Sequence, residues 1–106
     1  MRRKIKVKDC TDEKIVEIYK EEAGLSCKIP RWIDVEDVQV NTSECTAAIA
    51  VDMSTSRGHV RVFDKRGEQV DMVGQSHRGH TVILWVGDGY EYDCFGPCRI
   101  ATLERE

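Results

Sequence analysis

TVILWVGDGYEYDCFGPC, residues 81–98, decides the fold more than any other stretch of the chain. Thr81 to Val86 is apolar on both faces of an extended segment, the pattern of a central strand buried on both sides. Gly87-Asp88-Gly89 then supplies a turn, and Tyr90 to Asp93 alternates aromatic with acidic residues. Cys94 and Cys98 flank Phe95-Gly96-Pro97, which reads as a tight turn. The stretch therefore predicts a β-hairpin, with strands at 81–86 and 90–94, ending in a thiol-rich corner.

Upstream, His59 to Asp64 and Glu68 to Val73 predict a second hairpin around Lys65-Arg66-Gly67. Its first strand places Val60, Val62 and Asp64 on one face and His59, Arg61 and Phe63 on the other. Cys45 to Val51 predicts a strand of small residues, and Ile33, Val35, Val38 and Val40 predict a strand interrupted near Glu36-Asp37, joined to it by Asn41-Thr42-Ser43. Residues 3–8 alternate Lys4, Lys6 and Lys8 with Ile5 and Val7, a strand with one basic and one apolar face. A helix follows, capped by Thr11 or Asp12, buried along Ile15, Ile18 and Tyr19, and stopped by Gly24. Leu25 to Trp32 is a connection, Arg99 to Leu103 closes the sheet, and Trp32, Met53, Phe63 and Met72 are assigned to the core. The expected fold is α+β, with one N-terminal helix packed on an antiparallel, strongly curved sheet or partial barrel of about six strands.

A chain of 106 residues has room for one hydrophobic core and is read as a single domain, residues 1–106. The net charge of −3 conceals an asymmetry, because Arg2, Arg3, Lys4, Lys6 and Lys8 all lie in the first eight residues. The acidic remainder argues against nucleic-acid binding by the body of the domain, since phosphate contacts need clustered cations over a face. Those lysines are expected to guard an edge strand, or to touch phosphate or an acidic partner, and the same edge offers a place for a second copy to pair. No apolar run is long enough to span a bilayer and no signal peptide is evident, so a cytoplasmic location without membrane attachment is expected. Cys10, Cys27, Cys45, Cys94 and Cys98 are odd in number and lack framework spacing, which fits reduced thiols.

Two constellations carry candidate chemistry. His77-x-x-His80 followed by Cys94-x-x-x-Cys98 offers two imidazoles and two thiolates, the ligand set of a closed, structural zinc site, if the 81–94 hairpin brings the pairs together. No cofactor other than zinc is implied. Trp85, Asp88, Tyr90, Glu91, Tyr92 and Asp93 mix aromatic rings with carboxylates, a combination suited to gripping a basic side chain of a protein partner. No nucleophile elbow or comparable signature is present. Glu91 and Asp93 beside Cys94 would raise, not lower, its thiol pKa.

The run IAVDMSTSRGHVRVFDKRGEQV, Ile49 to Val70, resembles the first hairpin of the actin, sugar kinase and heat-shock ATPase superfamily. There a strand ends in Asp-x-Gly-Thr-Ser and the next leads into a Phe-Asp-x-x-Gly-Glu turn. The resemblance implies phosphate and metal roles for Asp52, Ser54, Thr55 and Ser56. It covers 22 of 106 residues, Ser54 stands where the family has glycine, and the chain is too short for the two lobes that clamp a nucleotide. The ATPase function is therefore not carried over, and the similarity is read as two hairpins meeting the same turn requirement.

From the residues, the chain reads as a small binding module that docks onto a protein partner with a basic segment, in the manner of a bacterial or phage accessory protein, with no reaction assigned. A second reading is a zinc-stabilised nucleic-acid accessory protein using the Arg2 to Lys8 arm. A third is a small enzyme built on His77, His80 or a cysteine.

Overall fold

In a computed structural model that describes residues 3–106, seven strands form one antiparallel sheet and a single α-helix packs on part of it. In chain order the elements are β1 (Ile5–Lys8), α1 (Asp12–Ala23), β2 (Arg31–Asn41), β3 (Thr46–Asp52), β4 (His59–Phe63), β5 (Gln69–Val73), a 3-10 turn (Gln75–His77), β6 (His80–Trp85) and β7 (Glu91–Glu104). Six strands run β1-β6-β3-β7-β4-β5 and curl into a half-barrel, with β2 added off this path against β7. The α+β expectation with an N-terminal helix is thereby corrected: the chain is predominantly strand, and its one helix follows β1. The excess of strand arises because β2 and β7 are far longer than expected, at 11 and 14 residues.

β7 organises the sheet. Its first half pairs with β4 and its second half with β3 along one edge, while β2 pairs with both halves along the other. The expected turn at Phe95-Gly96-Pro97 is instead a bend inside one continuous strand. Opposite that bend the register jumps: Val38 faces Cys94 and Glu36 faces Pro97, so Phe95 and Gly96 both stand against Asp37. Such a bulge turns the strand without ending it. Gly96 takes φ 76 and Asp37 φ 50 to make the bend, and the Asp37 carboxylate accepts from Gly96 N at 2.9 Å. A proline is tolerated mid-strand at such an irregularity.

The expected C-terminal hairpin is corrected as well. β6 and β7 do not pair, because β3 lies between them and pairs with both. The pattern of Thr81 to Trp85 still states its position correctly: β6 is flanked by β1 and β3 and is buried on both faces. β3, every residue of which is buried, separates two cores. Ile49 and Val51 point into the half-barrel with Val60, Val62, Val82, Leu84, Tyr92 and Ile100. Ala48 and Ala50 point the other way, beside Ala101, and these small side chains let α1 approach with Ile15 and Tyr19. Burying those two helix residues contributes about 2 kcal/mol each, which holds α1 more firmly than its own propensity would. The helix starts at Thr11, whose side chain accepts from Lys14 N, and ends at left-handed Gly24, both as expected.

The two ends of the path approach one another without pairing. Lys4, immediately before β1, donates to the Met72 carbonyl at 2.9 Å and meets the Asp71 carboxylate of β5 at 3.4 Å. β2 therefore remains as a long edge, with no strand of the described chain beyond it.

Candidate functional site

Helix α1 roofs only one part of the outer surface. The outer face of β4 and the first half of β7 carries no helix and presents an ordered ladder of side chains. His59 stacks on Phe95 at 5.2 Å, and the Arg61 guanidinium lies 5.1 Å above Phe63 and 5.0 Å above Phe95. Arg61 also donates from Nε and Nη2 to the two carboxylate oxygens of Asp93, at 3.0 and 2.6 Å. This two-point geometry fixes the guanidinium plane over the rings. That hydrogen bonding to Asp93 holds the guanidinium pKa above its usual value. Phe95 is 45% exposed and Met72, opposite Arg61 on β5, is 43% exposed. Phe63 and Met72 thus lie outside the core, contrary to expectation. The alternation of HVRVF had separated the two faces of β4 correctly, and it is the outward one that carries the ladder.

β2 borders this face. Its side chains Asp34, Glu36 and Asp37 are exposed, and Gln39 donates to Glu91 at 2.9 Å.

The aromatic and acidic residues singled out from the sequence are dispersed. Trp85 is buried under α1, its ring 5.9 Å from Tyr19 and its Nε1 donating to the Arg3 carbonyl at 3.1 Å. Tyr92 is buried inside the half-barrel. Tyr90 is half-buried on the same interior cluster, Asp93 is engaged by Arg61, Glu91 by Gln39, and Asp88 is exposed. The predicted grip on one hairpin is therefore not assembled, since the rings and the carboxylates alternate between opposite faces of β7.

The four expected metal ligands are likewise apart in the topology. His77 sits in the 3-10 turn, where its Nδ1 accepts from Gly74 N at 3.3 Å, and His80 opens β6. Burial, with Lys4 beside it, holds the His77 imidazole pKa below its usual value. Cys94 and Cys98 lie in the half-barrel interior, on a strand separated from β6 by β3. Cys94 donates to the Gly96 carbonyl at 3.2 Å, and burial, followed by the neighbouring Cys98, pushes its thiol pKa up to about 12. A thiol so held stays protonated and is a poor nucleophile. Among the described residues, no group of three or more His, Cys, Asp or Glu side chains is placed to hold a metal ion. Of the basic arm, Lys4 is spent on β5, Lys6 and Lys8 are exposed, and Arg2 lies outside the described residues.

The Asp52 loop is built for closure. β3 and β4 do not form a hairpin; they follow one another along the same edge of β7. The Asp52 carboxylate accepts from Ser54 N at 3.0 Å, from the Ser54 hydroxyl and from Arg99 Nη1 at 3.0 Å. Ser56 N donates to the Asp52 carbonyl at 3.0 Å. These donors point inward at the aspartate, so the loop lacks the free N–H cradle a phosphate requires. Arg99 in turn lies 4.7 Å above Trp32, whose Nε1 donates to Asp12 at 2.8 Å, tying β3, β7, β2 and the start of α1 together.

Burial raises the Asp52 pKa, but the Ser54 bonds and Arg99 outweigh it and hold the carboxyl below its usual value. A depressed carboxylate contributes stability above its unfolded pKa and loses it as pH falls through its folded pKa. Asp52→Asn is accordingly expected to flatten the acid limb of stability between about pH 5 and pH 2. Denaturant midpoints measured across that range check it; an unchanged acid limb would remove Asp52 from the account.

Comparison of the chain with known protein families, with curated proteins and with solved structures finds no match. Among the described residues, no helix is long and apolar enough to cross a membrane.

Proposed function

We propose that this protein is a small binding module that docks onto a protein partner by accepting an extended, basic segment along the open edge of β2. The observation that carries the reading is the edge itself: an 11-residue strand that pairs, among the described residues, with β7 alone, with Asp34 and Glu36 exposed along it and Asp37 turned back to Gly96 N at the bulge. An unpaired edge offers its backbone donors and acceptors to an incoming strand, which supplies affinity, while side-chain charge selects the partner. The carboxylates favour lysine or arginine and repel acidic strands, including a second copy of β2. A reducing, cytoplasmic setting accords with Cys27, Cys94 and Cys98 as free thiols inside the two cores.

The test is calorimetric titration with an extended peptide alternating lysine and valine, beside a glutamate–valine counterpart and an N-methylated lysine–valine peptide. The lysine peptide is expected to bind and the other two to fail. Asp34→Lys with Glu36→Lys is expected to weaken binding about tenfold. Equal binding of the N-methylated peptide, or no binding of the lysine peptide, overturns strand addition.

A further inference from the structure

A second recognition site lies at the end of the half-barrel where the β4–β5 turn meets the β6–β7 loop. Asp64, Lys65, Arg66, Asp88, Tyr90 and Arg105 line an open groove of about 530 Å³ there. That volume is within the range of small-molecule sites. Its three cations come from two separate segments of the chain. Among the described residues, the ion pairs involve Lys4, Arg61 and Arg99, and none involves Lys65, Arg66 or Arg105. In a chain of net charge −3, the three cations of this groove outnumber its two carboxylates, Asp64 and Asp88, a local balance of opposite sign to the whole. Of the two carboxylates in the lining, Asp64 also closes the turn, its Oδ1 accepting from Arg66 N at 2.9 Å and from Glu68 N at 3.0 Å.

The aromatic wall is held in place. Tyr90 N donates to the Gly87 carbonyl at 3.2 Å, and the Tyr90 carbonyl accepts from Thr42 N and Thr42 Oγ1 at 2.9 and 2.8 Å. Its ring lies against Gly87, where a Cβ would come within 3.2 Å of it, so the absent side chain makes room for the ring. Across the groove the turn is equally close, with Lys65 Cβ 2.9 Å from the Cβ position of Gly89. A fixed ring beside three unpaired cations matches a ligand with anionic groups at one end and a planar group at the other.

We infer that this groove binds a phosphorylated small molecule, its phosphoryl oxygens met by Lys65, Arg66 and Arg105 and its planar part resting on Tyr90. Guanidinium groups suit phosphate because two parallel N–H bonds match its oxygens. The site is independent of the β2 edge, so either reading survives failure of the other.

The probes are inorganic pyrophosphate and ATP, titrated at low ionic strength against 15N-labelled protein and followed by amide shifts. Saturable shifts at Lys65, Arg66 and the 87–90 loop are expected for both, with ATP the tighter. Arg66→Ala and Arg105→Ala, both at exposed positions, are each expected to weaken pyrophosphate about fivefold without altering the folded spectrum. Tyr90→Leu is expected to bring ATP down to the affinity of pyrophosphate. No saturable shift at millimolar probe, or equal affinity in the arginine variants, overturns the site; ATP no tighter than pyrophosphate in the unaltered protein overturns the role of the ring.

Discussion

Gly58→Ala is expected to destabilise the protein by about 3 kcal/mol or more, or to prevent folding. A Cβ at this position would stand 1.9 Å from the Phe95 carbonyl oxygen and 2.8 Å from the Gly96 carbonyl carbon. Both are backbone atoms of the β7 bend, so no side-chain rotation relieves the overlap. The neighbouring bonds hold the approach closed: Arg57 N and Gly58 N both donate to the Pro97 carbonyl, at 2.9 and 3.1 Å. Gly58 is not in the left-handed region, so its cost would be one of space alone. Gly67→Ala provides the converse, since Gly67 has φ 82 and nothing within 4 Å of its Cβ position. That variant would carry backbone strain without a clash and is expected to lose about 1 kcal/mol. Denaturant midpoints of the two variants separate the effects. A Gly58→Ala loss no larger than that of Gly67→Ala would mean that β4 does not lie so near the bend.

The same bend marks where the sequence stops being legible. Gly96-Pro97 between two cysteines has the local chemistry of a turn, and nothing in residues 94–98 alone distinguishes a turn from a bulge. The distinction is made at a distance, by Asp37 bonding to Gly96 N and by Gly58 lying against Phe95. The interruption of β2 at Glu36-Asp37 could be read locally because the valine alternation changes phase there. Its partner on β7 could not, because the added residue sits beside a proline.

Strand order was hidden for a similar reason. Consecutive strands usually neighbour one another, so a short Gly-Asp-Gly link between two strands reads as a hairpin. Here Val86 N donates to the Ala47 carbonyl at 3.1 Å, and the loop carries the chain past the end of β3, which occupies the space between. The span of the helix was legible, since a cap at Thr11 or Asp12, the Ile15 and Tyr19 spacing and Gly24 are local signals. The ladder of His59, Arg61, Phe63 and Phe95 was half legible: the period of two grouped the β4 residues, but the partner Phe95 comes from a register that only the sheet supplies.

Tyr92→Ala is expected to cost about 3–5 kcal/mol, the range for emptying a buried aromatic site, whereas Tyr90→Ala is expected to cost about 1 kcal/mol as a half-buried residue at a loop. The period of two places Tyr90, just before β7, and Tyr92 within it on one side, and both do pack on the interior cluster. What the period could not supply is the direction of that face, because Glu91 and Asp93 between them would suit solvent whether the tyrosines were core or contact residues. Arg61 settles the matter by binding Asp93 on the outer face, which turns Tyr92 inward to 2% exposure. Equilibrium unfolding of the two variants measures the difference, and a Tyr92→Ala loss within about 0.5 kcal/mol would return that ring to the surface. The result also governs how binding experiments are read. A partner lost on replacing Tyr92 would report a disrupted half-barrel, while loss on reversing Asp34 and Glu36, whose side chains are exposed on the β2 edge, would report the interface itself.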